Sequence, residues 1–190
     1  MLHSRIPVPF SAQKIPLTNP LSIAENVAMN EYDGSEEVIK KISDALNAAG
    51  LSEKINSLPK GINTQLGKIF DKEGVLLSGG ELQKPALARV LFKNSSVVIL
   101  DEPSGAPDAL AEDELIRTFN TALKGKTVFY ISHRLSVAKY ADKVIFMEDS
   151  GIKGFDTHET LLESIKSYRI LYESQAKHYK QEAGILHVLL

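Results

Sequence analysis

Between Glu36 and Ala49 the apolar residues Val38, Ile39, Ile42, Ala45, Leu46 and Ala49 recur at spacings of three and four, and Gly50 follows them. That pattern predicts an amphipathic helix with the glycine as its C-terminal stop. A shorter helix is predicted from Ser22-Ile-Ala-Glu25, where hydroxyl and carboxylate sit at capping-box spacing and satisfy the first unpaired amides of Asn26-Val-Ala-Met. Ahead of it, Pro7, Pro9, Pro16 and Pro20 break the first twenty residues too often for a helix or a central strand, so an exposed lead-in loop is expected. Lys60 to Leu77, with Gly61, Gly67 and Gly74 between short apolar pieces, reads as irregular connection.

From Ser96 the pattern changes. Val97-Val-Ile-Leu100 is a compact apolar run ending in Asp101-Glu102-Pro103, as in a strand buried on both faces. Val128 to Ile131 and Val144 to Met147 repeat the run, with helical stretches expected over about Ala111 to Leu123 and Ser136 to Tyr140. Strands alternating with helices predict a parallel sheet with crossover helices, so this part is α/β. From His158 to Glu182, Leu161, Leu162, Ile165, Tyr168, Leu171 and Tyr172 keep helical spacing against a charged face.

Composition narrows the function classes. The 190 residues carry 22 Lys and Arg against 24 Asp and Glu, a net charge of -2, so no basic surplus exists to hold a phosphate backbone, and nucleic acid is not expected as a partner. The absence of cysteine removes disulfides, thiolate metal sites and Cys nucleophiles together. No apolar run approaches the roughly 20 residues that span a bilayer, and the start lacks a signal-peptide core, so the chain itself is expected to be soluble.

Three short stretches carry chemistry. Asp101 and Glu102 stand side by side at the end of a predicted parallel strand, where both reach a crevice at the sheet's carboxyl edge; the alternative is an acidic loop. Leu77-Ser-Gly-Gly-Glu81 places a hydroxyl and two glycines at a helix start, leaving amides that suit an anionic phosphate; the alternative is a plain N-cap. The strand Val128 to Ile131 runs into Ser132-His133-Arg134, bringing an imidazole to the same edge, although a single strand-end histidine is more often incidental.

In this order the pieces resemble the nucleotide-binding domain of ATP-binding cassette (ABC) transporters, over about Gln13 to Gln175. Ser78, Gly79, Gly80 and Glu81 look like the family signature, Val97 to Glu102 like the Walker B strand, Ser104 to Asp108 like the D-loop, and His133 like the switch histidine. Gln13 is the Q-loop candidate, because Pro20 to Asn26 is similar to the segment that follows that loop. Ile131-Ser-His-Arg134 and the Tyr-rich C-terminal helix lean toward exporter-type cassettes.

The resemblance implies a fold, partners and roles. The fold is a partial P-loop NTPase core with a parallel sheet plus an α-helical signature lobe. Its parts are a lead-in and Q-loop region (1–20), the helical lobe with the signature (21–95), the α/β core with Walker B, D-loop and H-loop (96–157), and a C-terminal helix and tail (158–190). ATP and Mg²⁺ are the implied cofactors. Asp101 would hold Mg²⁺, Glu102 would take a proton from the attacking water, and His133 would contact the γ-phosphate. Ser78, Gly79, Gly80 and Glu81 would act in trans on nucleotide held by a second cassette, with Asp108 near the seam. A transmembrane domain is the other implied partner, which places the chain at the cytoplasmic face of the membrane.

One element of the family is missing from the sequence. No Gly-x-x-x-x-Gly-Lys-Ser/Thr phosphate loop occurs. Gly61 to Lys68 has one residue too many between its glycines and continues with Ile69, and Gly125-Lys126-Thr127 lacks the earlier glycine and precedes a strand. The chain therefore looks like the C-terminal two-thirds of a cassette, expected to be poorly stable and inactive alone. A non-catalytic subunit that lends its signature to a complete partner cassette is the alternative. Pro85 and Pro107 stand where the family carries aliphatic residues, and an interior helix proline costs about 3 kcal/mol.

Overall fold

A computed structural model describes residues 10–11, 21–69, 71–78, 81–103 and 109–185. Gln13, Gly79, Gly80 and the D-loop candidate Ser104 to Asp108, with Pro107, lie outside them. The chain forms two compact units, one of residues 1–107 and 114–131, the other of residues 108–113 and 132–190.

The first unit begins with β1 (Phe10–Ser11), followed by α1 (Ile23–Ala28), α2 (Glu36–Ala48) and α3 (Ser52–Asn56). The capping box predicted at Ser22 is present. The Ser22 hydroxyl accepts from the Glu25 amide at 3.2 Å, and the Glu25 carboxylate accepts from the Ser22 amide at 2.7 Å. These bonds hold the Glu25 carboxyl below its ordinary pKa. Helix α2 ends as the pattern predicts, with Gly50 at φ 74, a left-handed position that only glycine takes without steric cost.

Helix α4 (Gln83–Lys93) completes the helical lobe. Ile23 and Val27 of α1, Ile42 and Leu46 of α2, and Leu87 and Val90 of α4 form one core. Arg89 is buried in the same lobe, its Nε donating to the Asn26 carbonyl at 2.7 Å and so tying α4 to α1; burial lowers its pKa. Pro85 does not break α4. It is the third residue of the helix, in the first turn, where backbone amides have no intrahelical partner and a missing N–H costs little.

β2 (Val97–Asp101) pairs in parallel with β1 on one side and with β3 (Thr127–Ile131) on the other, and α5 (Ala109–Ala122) lies between β2 and β3 in sequence. The parallel sheet is as expected, and its two faces differ in exposure among the described residues. Val98 and Leu100 point into the core with Val128 and Tyr130 packed beside them, while Phe129 and Ile131 on the other face are 48% and 53% exposed.

In the second unit β4 (Val144–Glu148) does not join that sheet. It pairs antiparallel with β5 (Gly151–Asp156), a strand the hydrophobic pattern did not reveal because glycines and Lys153 interrupt it. The stretch Leu135–Tyr140 is a 3-10 helix. The predicted C-terminal helix is two, α6 (His158–Ser164) and α7 (Lys166–Ile185). Helix α6 lies so close over β5 that a Cβ on Gly154 would come within 2.8 Å of Leu161 Cδ2. Tyr168 is fully buried, edge-on to Phe146, with its hydroxyl 2.8 Å from His158 Nδ1, and burial pushes the phenol up to about 12.

Candidate functional site

Parallel strands present their carboxyl ends to one edge of the sheet, and on that edge Asp101 stands opposite Ile131. Glu102 follows immediately, with φ at 45° and its amide donating to the Ile131 carbonyl at 2.8 Å. A left-handed conformation costs a side-chain-bearing residue about 1 kcal/mol, and it turns Glu102 out of the strand direction instead of continuing the pleat. Asp101 and Glu102 thus place two adjacent carboxyl groups at the carboxyl end of β2.

Ser78 and Glu81 meet locally. The Glu81 carboxylate accepts from the Ser78 amide at 2.8 Å, and the Ser78 hydroxyl accepts from the Glu81 amide at 3.3 Å, a reciprocal box leading toward α4. Lys54 Nζ lies 3.4 Å from the same carboxylate. The backbone bond from Ser78, aided by Lys54, holds the Glu81 carboxyl below its ordinary pKa. The N-cap of α4 itself is Leu82, without a side-chain cap bond, so the Ser78–Glu81 box belongs to the turn ahead of the helix.

The lysines of the two rejected phosphate-loop lookalikes belong to other structure. Thr127 pairs with Val97, so Gly125-Lys126-Thr127 lies at the amino end of β3, a full strand away from Asp101. Lys126 Nζ donates there to Asn94 Oδ1 at 2.8 Å and to the Ser95 carbonyl at 2.9 Å. Gly61 to Asn63 is one 3-10 turn, with no helix opening behind Lys68.

His133 belongs to the second unit, on the stretch between β3 and the 3-10 helix. Its carbonyl accepts from Gln175 Nε2 of α7 at 2.8 Å. Next to it, Arg134 pairs with the buried Glu112, NH1 to Oε1 at 3.0 Å, and the Ser136 hydroxyl donates to the other carboxylate oxygen at 3.0 Å. Sequence reasoning missed Glu112 and Gln175. A signal existed for Glu112, which falls at helical spacing with Leu115, Ile116 and Phe119 on the apolar side of α5. Gln175 carried none.

Residues 2–105 match the model of the ABC transporter family. The chain belongs to the ABC transporter family. It is 40% identical over 157 residues to the subtilin transport ATP-binding protein SpaT of Bacillus subtilis, covering 82% of this chain and 25% of SpaT. It is 37% identical over 151 residues to the glutathione/L-cysteine transport system ATP-binding/permease protein CydD of Bacillus subtilis strain 168, covering 80% of this chain and 25% of CydD. Among solved structures it resembles a bacterial Atm1-family ABC exporter with ATP bound, with a TM-score of 0.71 and 26% identity over 87% of this chain and 28% of the exporter chain. The chain thus spans about a quarter of the length of these relatives and represents the ATP-binding module of an exporter-like ABC transporter. No helix among the described residues is long and apolar enough to cross a bilayer.

The sequence has no phosphate loop, and no three metal-ligating side chains gather among the described residues.

Proposed function

We propose that this chain is the signature and catalytic-edge portion of an exporter cassette whose phosphate loop comes from another stretch of polypeptide. The observation carrying the reading is the register of β2 and β3. The strand that ends in Asp101-Glu102 and the strand that leads into His133 are hydrogen-bonded parallel neighbours, with Asp101 facing Ile131.

Within a completed cassette Asp101 is the carboxylate for Mg²⁺, which when bound offsets the negative charge of the phosphates. Glu102 accepts a proton from water on its carboxylate, His133 addresses the γ-phosphate, and Gln13 is the Q-loop residue. Ser78, Gly79, Gly80 and Glu81 face nucleotide held by a second cassette, with Asp108 at the seam. The helical lobe passes closure to a transmembrane domain, at the cytoplasmic face of the membrane. The cargo follows from none of these residues.

Charge-assisted hydrogen bonds contribute about 1.5 to 3 kcal/mol each, so lacking three from a phosphate loop removes roughly 5 to 9 kcal/mol, comparable to the whole of a micromolar affinity. ATP binding by the chain alone is expected at millimolar levels or weaker by calorimetry, and micromolar binding overturns the reading.

The intact mass of the native protein, detected with an antibody against α7, tests the assignment. A species much larger than 20.9 kDa makes the chain the tail of a full transporter. A species of 20.9 kDa that associates with a complete cassette only in ATP makes it a subunit lending its signature.

A further inference from the structure

Where the chain leaves β3 its backbone groups lose their strand partners and must find others. Gln175 meets that need with one side chain. Its Nε2 donates to the His133 carbonyl at 2.8 Å, and its Oε1 accepts from the Leu135 amide at 2.8 Å. A carbonyl at one residue and an amide two residues later are the pair that a neighbouring parallel strand would engage opposite the residue between them. The Gln175 side-chain amide thus offers this segment the donor and the acceptor that one residue of a neighbouring strand would offer, delivered from helix α7.

The intervening residue, Arg134, is extended, with φ -94° and ψ 114°. Its amide donates to Ser132 Oγ at 3.0 Å, and its guanidinium is anchored to the buried Glu112 carboxylate. Arg134 is thus held through its side chain, and the Gln175 amide holds the backbone on either side of it, at the His133 carbonyl and the Leu135 amide.

We infer that Gln175 is a positioning residue for His133, acting together with the Glu112–Arg134 pair. The inference rests on the reading of His133 as the γ-phosphate residue for its functional meaning, while its structural content stands without it. Helix α7 thereby reaches the switch segment through two hydrogen bonds, although Gln175 is 42 residues away in sequence.

The test uses the full chain with histidine labelled at Cε1, the His133 resonance being assigned by its loss in His133→Gln. Gln175→Ala is expected to move or broaden the His133 resonance and to speed amide exchange of residues 132–136 about tenfold. The His158 resonance should stay in place, and the melting temperature within about 2 °C. Gln175→Glu keeps an acceptor for Leu135 but no donor for the His133 carbonyl, so it should fall between wild type and Gln175→Ala; it is also the variant to read if Gln175→Ala unfolds.

An unchanged His133 resonance in both variants overturns the proposal. So does an equal disturbance of His133 and His158, because Gln175 then merely attaches α7. In the transporter carrying this chain, Gln175→Glu should lower kcat with little change in KM. Normal turnover in His133→Ala would remove the γ-phosphate role and leave the resonance result standing, so the two failures are separable.

Discussion

In the helical lobe Ile23, Val27, Ile42, Leu46, Leu87 and Val90 are each no more than 2% exposed. On the three-stranded sheet Val98 and Leu100 are equally buried, yet Phe129 and Ile131 on the reverse side are about half exposed. The hairpin β4–β5 repeats the asymmetry. Phe146 packs inward, while the cross-strand pairs Ile145 with Phe155 and Met147 with Ile152 turn large apolar groups outward. Helices α1 to α4 satisfy one another from sequence present in this chain. Strands rich in Val, Ile and Phe on both faces suit cover on both, and among the described residues the two faces differ in exposure. Local sequence can thus close one layer of a domain while a neighbouring layer keeps an exposed apolar face.

The largest effect expected on that contrast comes from Leu87→Ala, which opens a cavity in the closed lobe and should cost about 3 kcal/mol in urea unfolding. A loss below about 1 kcal/mol would mean that the lobe is loosely packed. Next is Ser22→Ala, which removes the hydroxyl half of the α1 capping box and should cost about 1 kcal/mol by the same measurement. An unaltered midpoint would show that α1 is held by packing alone.

A lesser, pH-dependent effect belongs to the packed side of the second unit. Burial holds the His158 imidazole below its ordinary value of 6.5. The unfolded chain then takes up a proton near that pH while the folded chain does not, so His158's contribution to stability is full above it and falls as the solution is acidified. Melting curves should therefore decline more from pH 8 toward about pH 5 in wild type than in His158→Gln, and parallel declines would contradict the burial. The smallest change is expected from Phe129→Thr on the open face, within about 0.5 kcal/mol of wild type. Reduced self-association in light scattering should accompany it. A loss of several kcal/mol there would mean that this face is already covered, which breaks the comparison.

What the sequence made legible follows the same division. The boundaries of α1 and α2 were readable because capping groups and a C-terminal glycine act within a few residues. The strands β2, β3 and β4 were readable as apolar runs, but such a run does not specify its partner, so the antiparallel pairing of β4 with β5 was not visible. Pro85 looked disruptive because its position within α4 depends on where that helix starts. Asp101 and Glu102 were recognisable from their neighbours, whereas Gln175 acts across 42 residues through a side chain with no distinctive spacing.

The left-handed backbone at Glu102 bears on how such a chain would change under drift. Glycine or asparagine would sit there with less strain, so for the fold alone Glu102 is a residue to lose. In a gene copy released from function, glycine or asparagine at 102 would relieve that backbone strain. Among related copies, position 102 is accordingly an early place for loss of the activity to leave its mark, ahead of the buried positions that even an inactive chain needs in order to fold.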